Sequence, residues 1–144
     1  MPETSYAEPG DKLILVVDDD DDVQDLLSSV LRMEGFRIEQ ALDGEEALKK
    51  VQQLLPDLIL MDLMFPQYGG HEIMIRLQSE ATAEIPIIAI TGFSKDKITE
   101  AAIRLEPNVV EFMQKPLRVQ RLISMLHRIL KTRPAKRAHS SNAS

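Results

Sequence analysis

Apolar residues along this chain come in two alternating patterns. The first is a short unbroken run, "LILVV" (13–17), as expected of a strand buried on both faces. Val23, Leu26, Leu27, Val30 and Leu31 follow at helical spacing, and Gly35 ends that helix. "FRIEQA" (36–41) alternates apolar and polar, which suits an edge strand, and Asp43-Gly44 marks a turn. Ala47, Leu48, Val51, Leu54 and Leu55 form a second helical stripe, stopped by Pro56. "DLILMD" (57–62) reads as a third strand, and Pro66 and Gly69-Gly70 as a loop. Ile73, Met74 and Leu77 then share one side of a short helix. "IPIIAIT" (85–91) is a fourth strand, and Ile98, Ala101, Ala102 and Leu105 form a thin fourth stripe. "VVEFM" (109–113) is the last strand. A helix over 117–130 turns Val119, Leu122, Ile123, Leu126 and Ile129 inward.

Five strand–helix alternations predict an α/β fold, (βα)5, with a parallel sheet covered on both faces. Right-handed crossovers make it doubly wound. The expected organisation is a flexible N-terminus over 1–11, one domain over 12–131, and a basic, disordered tail over 132–144. The length of 144 residues, 44% of them hydrophobic and 28% charged, suits one soluble domain with a real core. There is no cysteine, which excludes disulfides and thiolate metal sites. No secretory signal and no apolar run near the roughly 18 residues of a membrane span is present. A cytoplasmic protein is expected. The net charge of −6 includes +4 from Lys131, Arg133, Lys136 and Arg137, so the remaining body carries −10. An acidic body disfavours nucleic acid as the main partner.

Ligands of doubly wound sheets sit at the carboxyl ends of the strands. Asp18 and Asp19 end the first strand, Asp62 the third and Thr91 the fourth, and Lys115-Pro116 follows the fifth. In a flavodoxin-like order 2-1-3-4-5 these side chains converge on one cleft. Three close carboxylates need a counter-charge, and Mg2+, a hard cation that takes oxygen ligands, supplies one. A ligated carboxylate can still attack phosphorus to form an acyl phosphate. The metal, an ammonium and a hydroxyl then neutralise the phosphoryl oxygens. Asp20 to Asp22, which complete a run of five aspartates, read instead as capping of the first helix.

With "ILVVDDD", "DLILMDLMFPQYGG", "IPIIAITG" and "FMQKPL" in this order, the chain resembles the receiver domain of two-component response regulators over residues 13 to 130. The resemblance implies that Asp62 is the phosphoacceptor. It implies that Asp18, Asp19, Asp62 and the Met64 backbone carbonyl surround Mg2+, with Asp18 acting mainly through water. By the same resemblance Thr91 moves inward to the phosphoryl group, Lys115 pairs with a phosphoryl oxygen, and Pro116 holds its loop in an unusual geometry. Phe112 changes rotamer with Thr91 and alters the face made by the fourth helix, fifth strand and fifth helix. Met64 and Phe93 flank the approach of a hydrolytic water, and their bulk predicts a long-lived phosphoryl group.

The sequence departs from the family at "EPNVV", where Asn108 is expected in the left-handed conformation in place of a glycine, and at Phe112 and Phe65. The implied partners are a histidine kinase or phosphotransfer protein upstream and a protein target downstream, without direct nucleic-acid contact or membrane insertion. With no output domain following, a stand-alone regulator without enzymatic turnover on other substrates is expected. Two rival readings are a phosphorylation-independent scaffold and an Asp-nucleophile phosphatase. The intact acidic set and Lys115 argue against the first, and the lack of a cap against the second. His71, His127 and His139 have no metal-ligand spacing, and His71 and His127 are read as surface residues.

Overall fold

The computed structural model describes residues 6–62, 76–77, 82–91 (Thr91 as main chain only) and 106–134. Five parallel strands lie in the order β2-β1-β3-β4-β5. They are β1 (Leu13–Val17), β2 (Arg37–Ala41), β3 (Leu58–Asp62), β4 (Ile87–Thr91) and β5 (Val109–Gln114). The described helices are α1 (Asp21–Met33), α2 (Gly44–Leu54) and α3 (Val119–Leu130). The expected helices around 71–79 and 98–105 lie outside the described residues, apart from Arg76 and Leu77. This is the doubly wound, flavodoxin-like fold.

The unbroken apolar runs arise because successive side chains feed opposite cores. Ile14 and Val16, Leu58 and Leu60, and Ile88 and Ile90 join one cluster with Leu27 and Leu31 of α1 and Leu122 and Leu126 of α3. Leu15 and Val17, Ile59 and Met61, and Ile87 and Ala89 join a second with Ala47 and Val51 of α2. Each three-residue span of strand thus contributes to both sides of the sheet. β1 pairs with β3 up to Val17 and Met61. One residue further on, the apolar run gives way to Asp18 on one strand and Asp62 on its neighbour.

Helix starts follow local hydrogen bonding. Asp20 caps α1, its side chain accepting from the N–H groups of Asp22 and Val23. Asp43 is not part of a free turn but caps α2, accepting from the Glu46 N–H at 2.8 Å, while Glu46 accepts from the Leu42 N–H at 2.7 Å.

Several expected positions differ. In α1, Gln24 and Ser28 are buried while Leu26 is 57% exposed, so the inward stripe is rotated toward polar residues that meet backbone and side-chain partners. Leu54 and Leu55 face outward, because α2 ends at Leu54 and Leu55 takes a left-handed cap conformation at φ 44°. Asn108 is not left-handed: the positive-φ non-glycine residues among those described are Leu55 and Lys131. Asn108 instead buries its amide, donating to the Ile85 carbonyl at 3.1 Å.

Residues 6–11, expected to be flexible, are folded onto the domain. Pro9–Asp11 form a 3-10 turn, and Ala7 bridges Thr132 through main-chain bonds to Lys131 and Arg133. Thr132, assigned to the tail, is accordingly buried. The remainder of the expected tail, 135–144, lies outside the described residues.

His127 is the largest departure from expectation. It is buried beneath the end of α3, 2.7 Å from Glu34 Oε2 and 2.6 Å from Thr132 Oγ1. Its ring packs 5.2 Å from that of Phe36. His71 and His139 lie outside the described residues.

Candidate functional site: an acidic cleft at the strand ends

Asp18 and Asp62 stand side by side because β1 and β3 end in register, and both are almost wholly buried. Asp19, next along the chain, is exposed at the mouth. Oxygens of these three carboxylates lie within 4.8 Å of one another. Lys115 enters from the loop after β5, its Nζ 2.8 Å from Asp62 Oδ2 and 3.7 Å from Asp18 Oδ2. The Lys115–Pro116 peptide is cis.

The electrostatics follow from burial. The Asp18 carboxyl is pushed up to about 6, first by desolvation and further by the neighbouring Asp62 charge. The Asp20 N–H, which donates to Asp18 Oδ1 at 2.9 Å, and the Lys115 charge oppose this. For Lys115, burial is the largest single influence and lowers its pKa. The hydrogen bond and charge of Asp62, with Asp18 and Asp20, together outweigh it and hold the ammonium above its ordinary value.

Among the described residues the cleft therefore carries more negative charge than Lys115 offsets. Asp18 Oδ2 is buried without a hydrogen-bond partner among the described residues. A hard divalent ion fits this donor set: three carboxylates at close range, one at the mouth with room for water. Asp18, Asp19 and Asp62 would hold it.

Of the other expected site residues, Thr91 ends β4, with only its main chain described. Met64 and Phe93 lie outside the described residues. Phe112 lies on β5 beside Ala89 of β4, half-buried against the second core cluster. It shares a groove of about 520 Å³ with Lys115, Arg118 and Arg121. Sequence reasoning missed Gln24, whose buried amide meets the backbone at the edge of the cleft. A glutamine in helical line with Leu27 and Leu31, three and seven residues on, was its only signal.

The family model for the response regulator receiver domain matches residues 14–127. The chain belongs to this family. Among curated relatives, the receiver is 35% identical over 121 residues to the DNA-binding dual master transcriptional regulator RpaA of Synechocystis, covering 82% of this chain and 48% of that protein. It is 32% identical over 128 residues to the response regulator MprA of Mycobacterium bovis, covering 88% and 54%. The chain thus spans about half the length of the curated relatives it matches. Among solved structures, it is similar to a CheY-like response regulator receiver domain protein from Methanospirillum hungatei, with TM-score 0.76, 25% identity and coverage of 83% and 94%. It is also similar to the signal receiver domain of a signal transduction histidine kinase from Syntrophus aciditrophicus, with TM-score 0.74, 26% identity and coverage of 88% and 98%. No helix among the described residues is long and apolar enough to cross a membrane.

Proposed function

We propose that this receiver accepts a phosphoryl group on Asp62, in the presence of Mg2+, from the phosphohistidine of a histidine kinase or phosphotransfer protein. The observation that carries the reading is the buried Asp62 carboxylate, flanked by Asp18 and Asp19 and held by Lys115 at 2.8 Å. An Asp62 oxygen attacks phosphorus. The phosphorus–nitrogen bond breaks, and the imidazole leaves with the electron pair and takes up a proton. When bound, the metal supplies positive charge against the phosphoryl oxygens. Lys115 moves its hydrogen bond from Asp62 to a phosphoryl oxygen, so its charge follows the charge that develops. Asp18 and Asp19 fix the metal side of the cleft.

Release of Lys115 from Asp62, with Thr91 drawn toward the phosphoryl group, shifts an existing equilibrium at Phe112 and the adjoining face of β5 and α3. A protein target reads that face. The activity is signalling rather than turnover of a separate substrate.

Intact-mass measurement with acetyl phosphate tests the acceptor. Wild type is expected to gain one phosphoryl group only with Mg2+, and Asp62→Asn none. Labelling of Asp62→Asn, or labelling in excess chelator, overturns the reading. In the same reading Met64 and Phe93 flank the path of the hydrolytic water and slow its attack. Met64→Asn and Phe93→Glu are each expected to speed decay of the labelled protein, a factor of ten corresponding to about 1.4 kcal/mol in the barrier. An unchanged decay rate in both removes that role.

A further inference from the structure

Gln24 lies in the first turns of α1, 1% exposed, with its amide nitrogen turned toward the sheet. Nε2 is 2.9 Å from the Val16 carbonyl oxygen, 3.0 Å from that of Asp18 and 2.8 Å from that of Ala41. Two amide hydrogens are thus shared among three acceptors drawn from β1, the loop after it and the end of β2. Oε1 is buried with no hydrogen-bond partner among the described residues.

Packing alone does not select this residue. An apolar side chain of the same length fills the same space and removes the unpaired Oε1, but it cannot donate to the Val16, Asp18 and Ala41 carbonyls. What the amide adds is a fixed loop. The Asp18 N–H already donates to the Ala41 carbonyl at 3.1 Å. With Gln24 holding the Asp18 carbonyl, this residue is tied through both of its backbone polar groups. The second tie sets the plane of the peptide joining Asp18 to Asp19, and hence the direction in which the exposed Asp19 side chain leaves the chain. Asp19 is the one carboxylate of the three that burial does not hold in place.

We infer that Gln24 is a positioning residue for the acidic cleft, its buried amide orienting the Asp18–Asp19 peptide so that both carboxylates face Asp62. Its effect on metal affinity rests on the Mg2+ reading above; its effect on the loop does not.

Hydrogen exchange on the full, metal-free chain reads the loop, and Mg2+ titration by NMR reads the cleft. In Gln24→Met, which keeps length and loses both donors, the amides of residues 18–23 are expected to exchange at least about tenfold faster relative to those of β3. The Mg2+ dissociation constant is expected to rise about tenfold, equivalent to about 1.4 kcal/mol. Ser28→Ala is the control for stability alone: Ser28 is equally buried on α1 and accepts from Gln40 at 2.6 Å, away from the cleft. It is expected to leave the dissociation constant and the loop exchange at wild-type values. If Gln24→Met does not fold, Gln24→Glu keeps the shape, lacks the donors when ionised and takes the same two readings. Uniform acceleration that includes β3, no acceleration, or a metal affinity that shifts no more than in Ser28→Ala overturns the inference. If wild type binds no Mg2+, the phosphoacceptor reading falls, and the exchange pattern alone decides for or against Gln24.

Discussion

Asp18→Asn should make the metal-free protein more stable at neutral pH, by about 2–3 kcal/mol. Asp18 titrates at about 6 in the folded chain against an ordinary 3.8, because burial and the Asp62 charge disfavour its ionised form. Below about pH 4 the carboxyl is protonated whether the chain is folded or not, and it costs nothing. Between about 4 and 6 the folded chain keeps a proton that the unfolded chain has lost, so stability falls as pH rises. Above about 6 the whole penalty is present. Asparagine cannot ionise, and its oxygen still accepts the Asp20 N–H that Asp18 receives at 2.9 Å. Urea unfolding in chelator checks this at two pH values: a clear gain at pH 7.5 that fades at pH 4. Equal stability of variant and wild type at both values would show that the cleft is not strained by charge. Added Mg2+ should narrow the difference at pH 7.5, since a ligand that binds only the folded state stabilises it and the variant lacks one carboxylate for it.

The second large effect is expected far from the cleft. His127→Ala should cost about 3 kcal/mol, roughly a hundredfold in the folding equilibrium. It removes two short hydrogen bonds, to Glu34 at 2.7 Å and Thr132 at 2.6 Å, and the packing against Phe36. A buried hydrogen bond contributes about 1 kcal/mol, more with a carboxyl partner such as Glu34, and truncating a buried ring adds to this. Thr132→Val should cost less, about 1 kcal/mol, because it removes one bond and keeps the shape. The two losses should not add, as both variants break the same bond. Chemical denaturation of the two single variants and the double variant measures this. A cost below about 1 kcal/mol for His127→Ala would mean that the cluster contributes little despite its burial.

His127 also shows where sequence reasoning stops. Its partner Glu34 is 93 residues away, and nothing near either residue announces the other. A lone histidine among helical polar positions looks like surface until the end of α3 is seen lying over the end of α1. The same holds for Gln24, whose three acceptors come together only when β2 lies beside β1. Strands were easier to read, because a run such as "LILMD" has to be buried on both faces whatever its neighbours are. The acidic cleft was readable for the same reason: it needs only the ends of those runs and the order of the strands. Asn108 was misjudged because its left-handed tendency is a local preference. A buried amide–carbonyl bond to Ile85, 23 residues distant, governs its place instead. Leu54 and Leu55 continue the period of α2 in sequence, but Leu54 is the last residue of the helix and Leu55 its left-handed cap, so the period stops describing the chain there.

Ala7 and Thr132 meet in a parallel bridge, with Glu8 and Arg133 paired 3.7 Å apart beside it. Strands of this sheet all run the same way, so the bridge, before β1 and after α3, lies at the end of the domain opposite the acidic cleft. A short linker could therefore join Arg133 to Ala7 directly. Opening the chain instead at the exposed turn around Leu55 would give a circular permutant in which β3 leads and α2 finishes. Asp18, Asp19, Asp62 and Lys115 would keep their places on the sheet. Only the order in which the chain visits them would change.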